Sequence, residues 1–292
     1  MNAPNATPHV ERFAAHGLSL TADRYGDPAD PPVLLWHGGG QTRHAWGTAA
    51  RTLAANGRCA VTYDMRGHGD SDWSPDGRYG IDLFAADVRT VAQSFSRSPT
   101  LVGASLGGLA SLVAVAESPE PIAAALVLVD VTPRVEPDGA SRIRDFMASG
   151  REGFASLEDA ADAIAAFNPH RPRPKDLSGL HKNLREGEDG RWYWHWDPRF
   201  ISGPAVATQP RGMVDHARLV AAARAVTIPT LLVRGMMSEI VSEESVREFR
   251  ELIPHAEVVE VQDAGHMVAG DKNDRFNEAI IGFIDRNAPD TR

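Results

Sequence analysis

The chain has 292 residues, 42% of them hydrophobic and 24% charged, and 30 Lys and Arg against 39 Asp and Glu leave a formal net charge of −9. The length suffices for one large α/β domain or a domain carrying an insertion, and an acidic chain without a Lys/Arg run excludes a nucleic-acid surface. A single cysteine, Cys59, excludes an intrachain disulfide. It lies in the apolar run Cys59-Ala60-Val61 and reads as a small buried hydrophobe. No apolar stretch approaches the roughly 20 residues of a membrane span. Met1 to Pro8 reads as a loose tail and lacks a charged segment followed by an apolar one. These features predict a cytoplasmic protein without a membrane partner.

In chain order, Val10 to Ala15 and Leu18 to Tyr25 read as two strands joined by a turn at His16-Gly17. Val33 to Trp36 is a short apolar strand, Ala45 to Asn56 a helix ending at Gly57, and Arg58 to Tyr63 a strand. Asp64 to Gly80 is a Gly/Asp-rich loop. Ile81, Phe84, Val88, Val91, Ala92 and Phe95 fall at helical spacing. Leu101 to Ala104 and Ala123 to Asp130 are strands separated by a helix-like run, Leu109 to Glu117. Strands alternating with helices predict a mainly parallel sheet covered on both faces.

The alternation stops after Asp130. From Thr132 to Arg211 the sequence offers helical stretches (Ser141 to Ser149, Leu157 to Phe167), a Pro-rich segment and the aromatic cluster Trp192-Tyr193-Trp194-His195-Trp196, but no strand. It then resumes with a helix at Val214 to Ala225, a strand at Thr230 to Arg234 and a helix at Ser242 to Leu252. A strand at Glu257 to Val261 and a helix at Asp274 to Arg286 complete it. The expected organisation is a core domain of residues 1–131 and 212–292, interrupted by a unit at 132–211.

Four segments carry chemistry. Gly103-Ala104-Ser105-Leu106-Gly107-Gly108 joins a strand to a helix, with a serine at the apex of a sharp turn. His37-Gly38-Gly39-Gly40 ends a strand, and its backbone N–H groups can face a ligand without side chains intervening. With the N–H of Leu106, those of Gly39 or, alternatively, Gly40 can form an oxyanion hole. Ala264-Gly265-His266 follows the last strand. Of the eleven histidines, His266 alone combines a loop setting with that place, and its near-neutral pKa suits a general base. His37, His44 and His68 read as structural or substrate-lining. A carboxylate is needed to orient the imidazole. Asp130, at a strand's C-terminal end, leads and Glu239 competes, while Asp64 and Asp263 read as loop organisers.

With these residues the chain resembles the α/β-hydrolase fold superfamily. The carriers are His37-Gly38-Gly39-Gly40, Asp64-Met65-Arg66-Gly67-His68-Gly69-Asp70-Ser71-Asp72, the Ser105 segment and Gly265-His266, in the family's order. The resemblance implies a mostly parallel eight-stranded sheet flanked by helices, with a helical cap inserted after the sixth strand. One departure stands out. Many relatives carry G-x-x-D-x-x-V after the seventh strand, with the aspartate as triad acid; here the segment is Gly235-Met236-Met237-Ser238-Glu239-Ile240-Val241, with serine in the aspartate's place. Some family members place the acid after the sixth strand instead, where Asp130 stands.

The function these features predict is hydrolysis of a small carboxylic ester or lactone through Ser105, His266 and Asp130 and an acyl-enzyme. No metal or organic cofactor is required, since no H-E-x-x-H or similar ligand spacing occurs. Serine at the elbow argues against the epoxide-hydrolase and dehalogenase chemistries of this fold, which use aspartate there. Carbon–carbon bond hydrolase and cofactor-free perhydrolase remain alternatives on the same triad, and a non-catalytic ligand-binding protein is the alternative of another class. Trp192, Trp194 and Trp196 are the candidate substrate-binding side chains.

Overall fold

The computed structural model describes residues 7–167, 169, 173, 175–203, 215–262, 264–265 and 273–288. Eight strands form one sheet: β1 (His9–Ala15), β2 (Leu18–Tyr25), β3 (Pro32–Trp36), β4 (Cys59–Tyr63), β5 (Thr100–Ala104), β6 (Ala125–Val129), β9 (Thr230–Gly235) and β10 (Glu257–Val261). Their spatial order is β1-β2-β4-β3-β5-β6-β9-β10. The first two strands pair antiparallel, β2 meets β4 antiparallel, and every pairing from β4 to β10 is parallel. The turn joining β1 to β2 has positive φ at both His16 and Gly17 (49° and 79°), the twist a two-residue hairpin requires.

The apolar strands divide their side chains between two cores by simple alternation. Leu34, Trp36, Val61, Tyr63, Leu101, Leu126 and Leu128 join one core with Phe84 and Val88 of α2 (Ile81–Gln93), Leu112 of α3 (Leu106–Ala116) and Leu219 of α7 (His216–Ala225). Val33, Leu35, Ala60, Val102, Val127 and Val129 join the other with Leu53 of α1 (Gly47–Ala55) and Phe276 and Phe283 of α9 (Asn273–Asn287), the helix that follows α8 (Glu243–Leu252). Both faces are therefore covered, which is why these strands are predominantly apolar in the sequence. Cys59 is buried, and burial pushes its thiol up to about 11.

Between β6 and β9 the described chain forms α4 (Pro137–Ser149), α5 (Leu157–Phe167), a short hairpin of β7 (Leu184–Glu186) and β8 (Trp192–Trp194), and α6 (Arg199–Ser202). The hairpin corrects the expectation that this stretch holds no strand. Its two strands pair Leu184 with Trp194 and Glu186 with Trp192. Three residues are too few for period-two alternation to register in the sequence. The expected boundary at 211/212 lies outside the described residues, as does most of the N-terminal tail. Among the described residues no helix is long and apolar enough to cross a membrane.

The parallel strands end together. The loops after Trp36, Tyr63, Ala104, Val129, Gly235 and Val261 consequently gather at one edge of the sheet, where ligands of open α/β sheets bind.

Candidate active site

Ser105 links β5 to α3 with φ 47° and ψ −115°. A non-glycine residue at positive φ is strained by about 1–3 kcal/mol and persists only where its surroundings over-determine it. Here the Ser105 N–H donates to the Val129 carbonyl (3.2 Å) and the Ser105 carbonyl accepts from Leu109 N–H (3.0 Å). The flanking glycines make the turn sterically feasible. A Cβ on Gly103 would lie 2.5 Å from the Gly108 nitrogen, one on Gly107 2.5 Å from the Trp36 carbonyl oxygen, and one on Gly108 2.5 Å from Val131 Cγ1. Leu106 opens α3, so its N–H has no acceptor within the helix.

The glycine loop runs beside this turn. Gly107 N–H donates to the His37 carbonyl (3.2 Å), and a Cβ on Gly38 would sit 3.3 Å from Ser105 Cβ. The amides of the loop have different fates. Gly38 N–H donates to Gln41 Oε1 (2.9 Å) and Gly40 N–H to His68 Nε2 (3.1 Å). The Gly39 N–H has no hydrogen-bond partner among the described residues. Of the two glycines proposed as alternatives from sequence, Gly40 has its donor engaged and Gly39 does not.

Two histidines lock this arrangement as neutral rings. His37 Nε2 accepts from Met65 N–H (3.0 Å) and its Nδ1 faces the Gly38 carbonyl (2.7 Å); His68 Nε2 accepts from Gly40 while its Nδ1 faces the Arg66 carbonyl (3.0 Å). These partners require the Nδ1–H tautomer in both. Burial lowers His37 to about 4 and His68 to about 3, with the neighbouring imidazole of His37 adding to the second shift. Asp64 follows β4. It is fully buried, pairs with the Arg43 guanidinium, and accepts from the N–H groups of Arg43 (2.6 Å) and Asp70 (2.9 Å). It therefore organises the 64–72 loop, as expected from sequence.

Asp130 follows β6, fully buried and at φ 48°. Its N–H donates to the Val233 carbonyl (2.8 Å). Oδ1 accepts from Gly235 N–H (3.1 Å) and Oδ2 from the Ser238 hydroxyl (2.6 Å). Its competitor Glu239 has a side chain 55% exposed, and that side chain forms an ion pair with Arg142 of α4. His266 and Asp263 lie outside the described residues. Of the neighbouring described residues, Ala264 has its carbonyl accepting from Met237 N–H (2.9 Å), in the loop that carries Ser238.

The segment between β6 and β9 sends three side chains over the glycine loop. Phe200 lies 3.4 Å from where a Gly39 Cβ would stand, and Met147 (3.1 Å) and Trp196 (3.4 Å) lie against the corresponding point on Gly40. Trp194 and Trp196 are buried and stacked, 4.9 Å between centroids and 12° between planes, and Phe146 and Phe154 meet Trp194 edge-on. Trp192 is half-buried against His181. Of the three tryptophans picked from sequence, Trp196 is thus the one against the glycine loop, and Trp194 packs inside the inserted segment. Sequence reasoning missed Phe200. It belongs to a four-residue helix too short to show periodicity, and is held by the buried Asp197 beside it. Asp197 accepts from Tyr79 Oη (2.5 Å), and its N–H donates to the Gly67 carbonyl (2.8 Å).

Residues 31–272 match the family model described as alpha/beta hydrolase fold. The chain belongs to this family. Among its relatives, an esterase of Mycobacterium tuberculosis is 32% identical over 285 residues, covering 95% of this chain and 90% of that one. A 3-hydroxybutyrate-oligomer hydrolase of Cupriavidus necator is 30% identical over 278 residues, covering 91% and 93%. The solved structure of an E-2-(acetamidomethylene)succinate hydrolase superposes with a TM-score of 0.83 at 26% identity, covering 95% of this chain and 99% of that one. The eight-stranded, mostly parallel sheet is the family's, and the relatives just described are hydrolases.

Proposed function

We propose that the protein is a serine hydrolase of a small carboxylic ester or lactone. The observation that carries this reading is Ser105, held at positive φ where its turn meets the Gly38-Gly39 backbone. Two relatives at 30% identity or more, named as an esterase and as a 3-hydroxybutyrate-oligomer hydrolase, support ester chemistry.

In this reading Ser105 Oγ attacks the substrate carbonyl carbon as His266 takes its proton. The developing oxyanion receives the N–H groups of Gly39 and Leu106, a contribution worth about 3 kcal/mol per donor. The imidazolium, oriented by Asp130, returns the proton to the leaving alkoxide. Water activated by His266 then releases the acid. Residues 132–211 form the cap, with Phe200, Met147 and Trp196 bounding the space above the glycine loop.

The test is turnover of a panel of 4-nitrophenyl esters and aromatic lactones by wild type and Ser105→Ala. A loss of about three orders of magnitude or more in the variant is expected. Equal rates in the two proteins would overturn the reading. The acetamidomethylene substrate named for the structural neighbour belongs in the same panel, because the same serine chemistry can serve a non-ester bond.

A further inference from the structure

We propose that Ser238 is a positioning residue for the triad acid, acting through its hydroxyl on Asp130; this rests on the assignment of Asp130 as that acid. Ser238 stands where many relatives carry the acid itself, and its role follows from four hydrogen bonds. The N–H groups of Ile240 (3.2 Å) and Val241 (3.1 Å) donate to Ser238 Oγ. Both acceptor directions of that oxygen are then used, and the hydroxyl proton is directed to Asp130 Oδ2 at 2.6 Å. Gly235 N–H donates to the other carboxylate oxygen. The carboxylate is gripped at both oxygens by donors from one loop, which fixes its plane and stabilises its charge. A short O–H···O⁻ bond is among the stronger ones available to a side chain.

The loop is itself rigid. Arg234 Nε–H donates to the Val241 carbonyl (2.8 Å), Ser238 N–H to the Gly235 carbonyl (3.0 Å), and Glu136 N–H to the Ile240 carbonyl (3.1 Å). Position 238 therefore keeps the geometry of an acid site while supplying a donor. The charge sits one strand away, just past the end of β6. A hydroxyl at 238 complements a carboxylate at 130, whereas a second carboxylate there would face the first at hydrogen-bond distance.

The experiment compares Ser238→Ala, Ser238→Thr, Asp130→Asn and the double variant Asp130→Asn/Ser238→Asp. Each is read by the rate of fluorophosphonate labelling at Ser105 and by kcat and KM on 4-nitrophenyl butyrate, with melting temperature recorded alongside. Ser238→Ala should lower kcat about 10- to 100-fold with KM within about two-fold, the loss expected for a hydrogen bond to a charged group. Ser238→Thr, which keeps the hydroxyl, should recover most of that loss. The double variant, with a carboxylate returned to position 238, should label at least about 10-fold faster than Asp130→Asn. Wild-type kcat in Ser238→Ala beside a crippled Asp130→Asn would overturn the role of Ser238 alone. Equal impairment of Ala and Thr with matched losses of melting temperature would reduce it to a structural residue. Full activity in Asp130→Asn would instead overturn the triad assignment beneath it.

Discussion

Acidification should destabilise this fold through the two buried histidines that lock the glycine loop. Both carry pKa values lowered from 6.5, to about 4 for His37 and about 3 for His68. Below pH 6.5 the unfolded chain takes up a proton at each position that the native state refuses. Stability from these groups is therefore complete above about pH 6.5 and is lost as pH falls toward the folded values. One proton of difference corresponds to about 1.4 kcal/mol per pH unit. Between pH 7.5 and pH 5 each histidine accordingly removes about 2 kcal/mol, or about 4 kcal/mol for the pair. Burial also lowers His44 and His195, which adds loss of the same sign, so the decisive quantity is a difference between two proteins. His68→Gln keeps an acceptor for Gly40 N–H and removes the titration. Urea unfolding of wild type and His68→Gln at the two pH values should show the variant losing about 2 kcal/mol less on acidification. An equal loss in both proteins would refute the claim that His68 is held neutral by the fold.

Three further substitutions have outcomes that follow from the structure. Glu239→Gln should leave kcat unchanged and cost less than about 1 kcal/mol, because the exposed pair with Arg142 is solvent-screened; a thousand-fold fall in kcat would make Glu239 the triad acid. Phe200→Ala should cost about 3–5 kcal/mol in urea unfolding, as for a buried aromatic. In the same variant kcat/KM should shift toward bulkier acyl groups in the ester panel, since the ring bounds the space at Gly39. Tyr79→Phe should cost about 1–3 kcal/mol by the same measurement, because it removes the hydroxyl shared between Asp197 and Ser74 N–H.

What could be read from the sequence follows from how each signal is written. Strands β3 and β6 are covered on both faces, so each is an unbroken apolar run that needs no partner to be recognised, and β4 and β9 are apolar but for Thr62 in the first and Thr230 and Arg234 in the second. The Ser105 turn was legible because three backbones approach within Cβ distance and force glycine at positions 103, 107 and 108. The choice between Gly39 and Gly40 was not legible. It depends on His68, 28 residues away, whose ring claims the Gly40 amide. Ser238 showed only as a departure from an expected pattern, since nothing local reveals that its hydroxyl meets a carboxylate 108 residues distant. The β7–β8 hairpin and Phe200 were hidden for a simpler reason: elements of three and four residues carry no period.

The proposed function makes Ser105 an activated nucleophile, and covalent labelling reads that property without any choice of substrate. Wild type treated with a fluorophosphonate should gain the mass of one adduct, mapped by peptide mass spectrometry to the segment containing Ser105, and Ser105→Ala should gain none. An unmodified wild-type protein, or an adduct at another residue in both proteins, would mean that Ser105 is not the nucleophile.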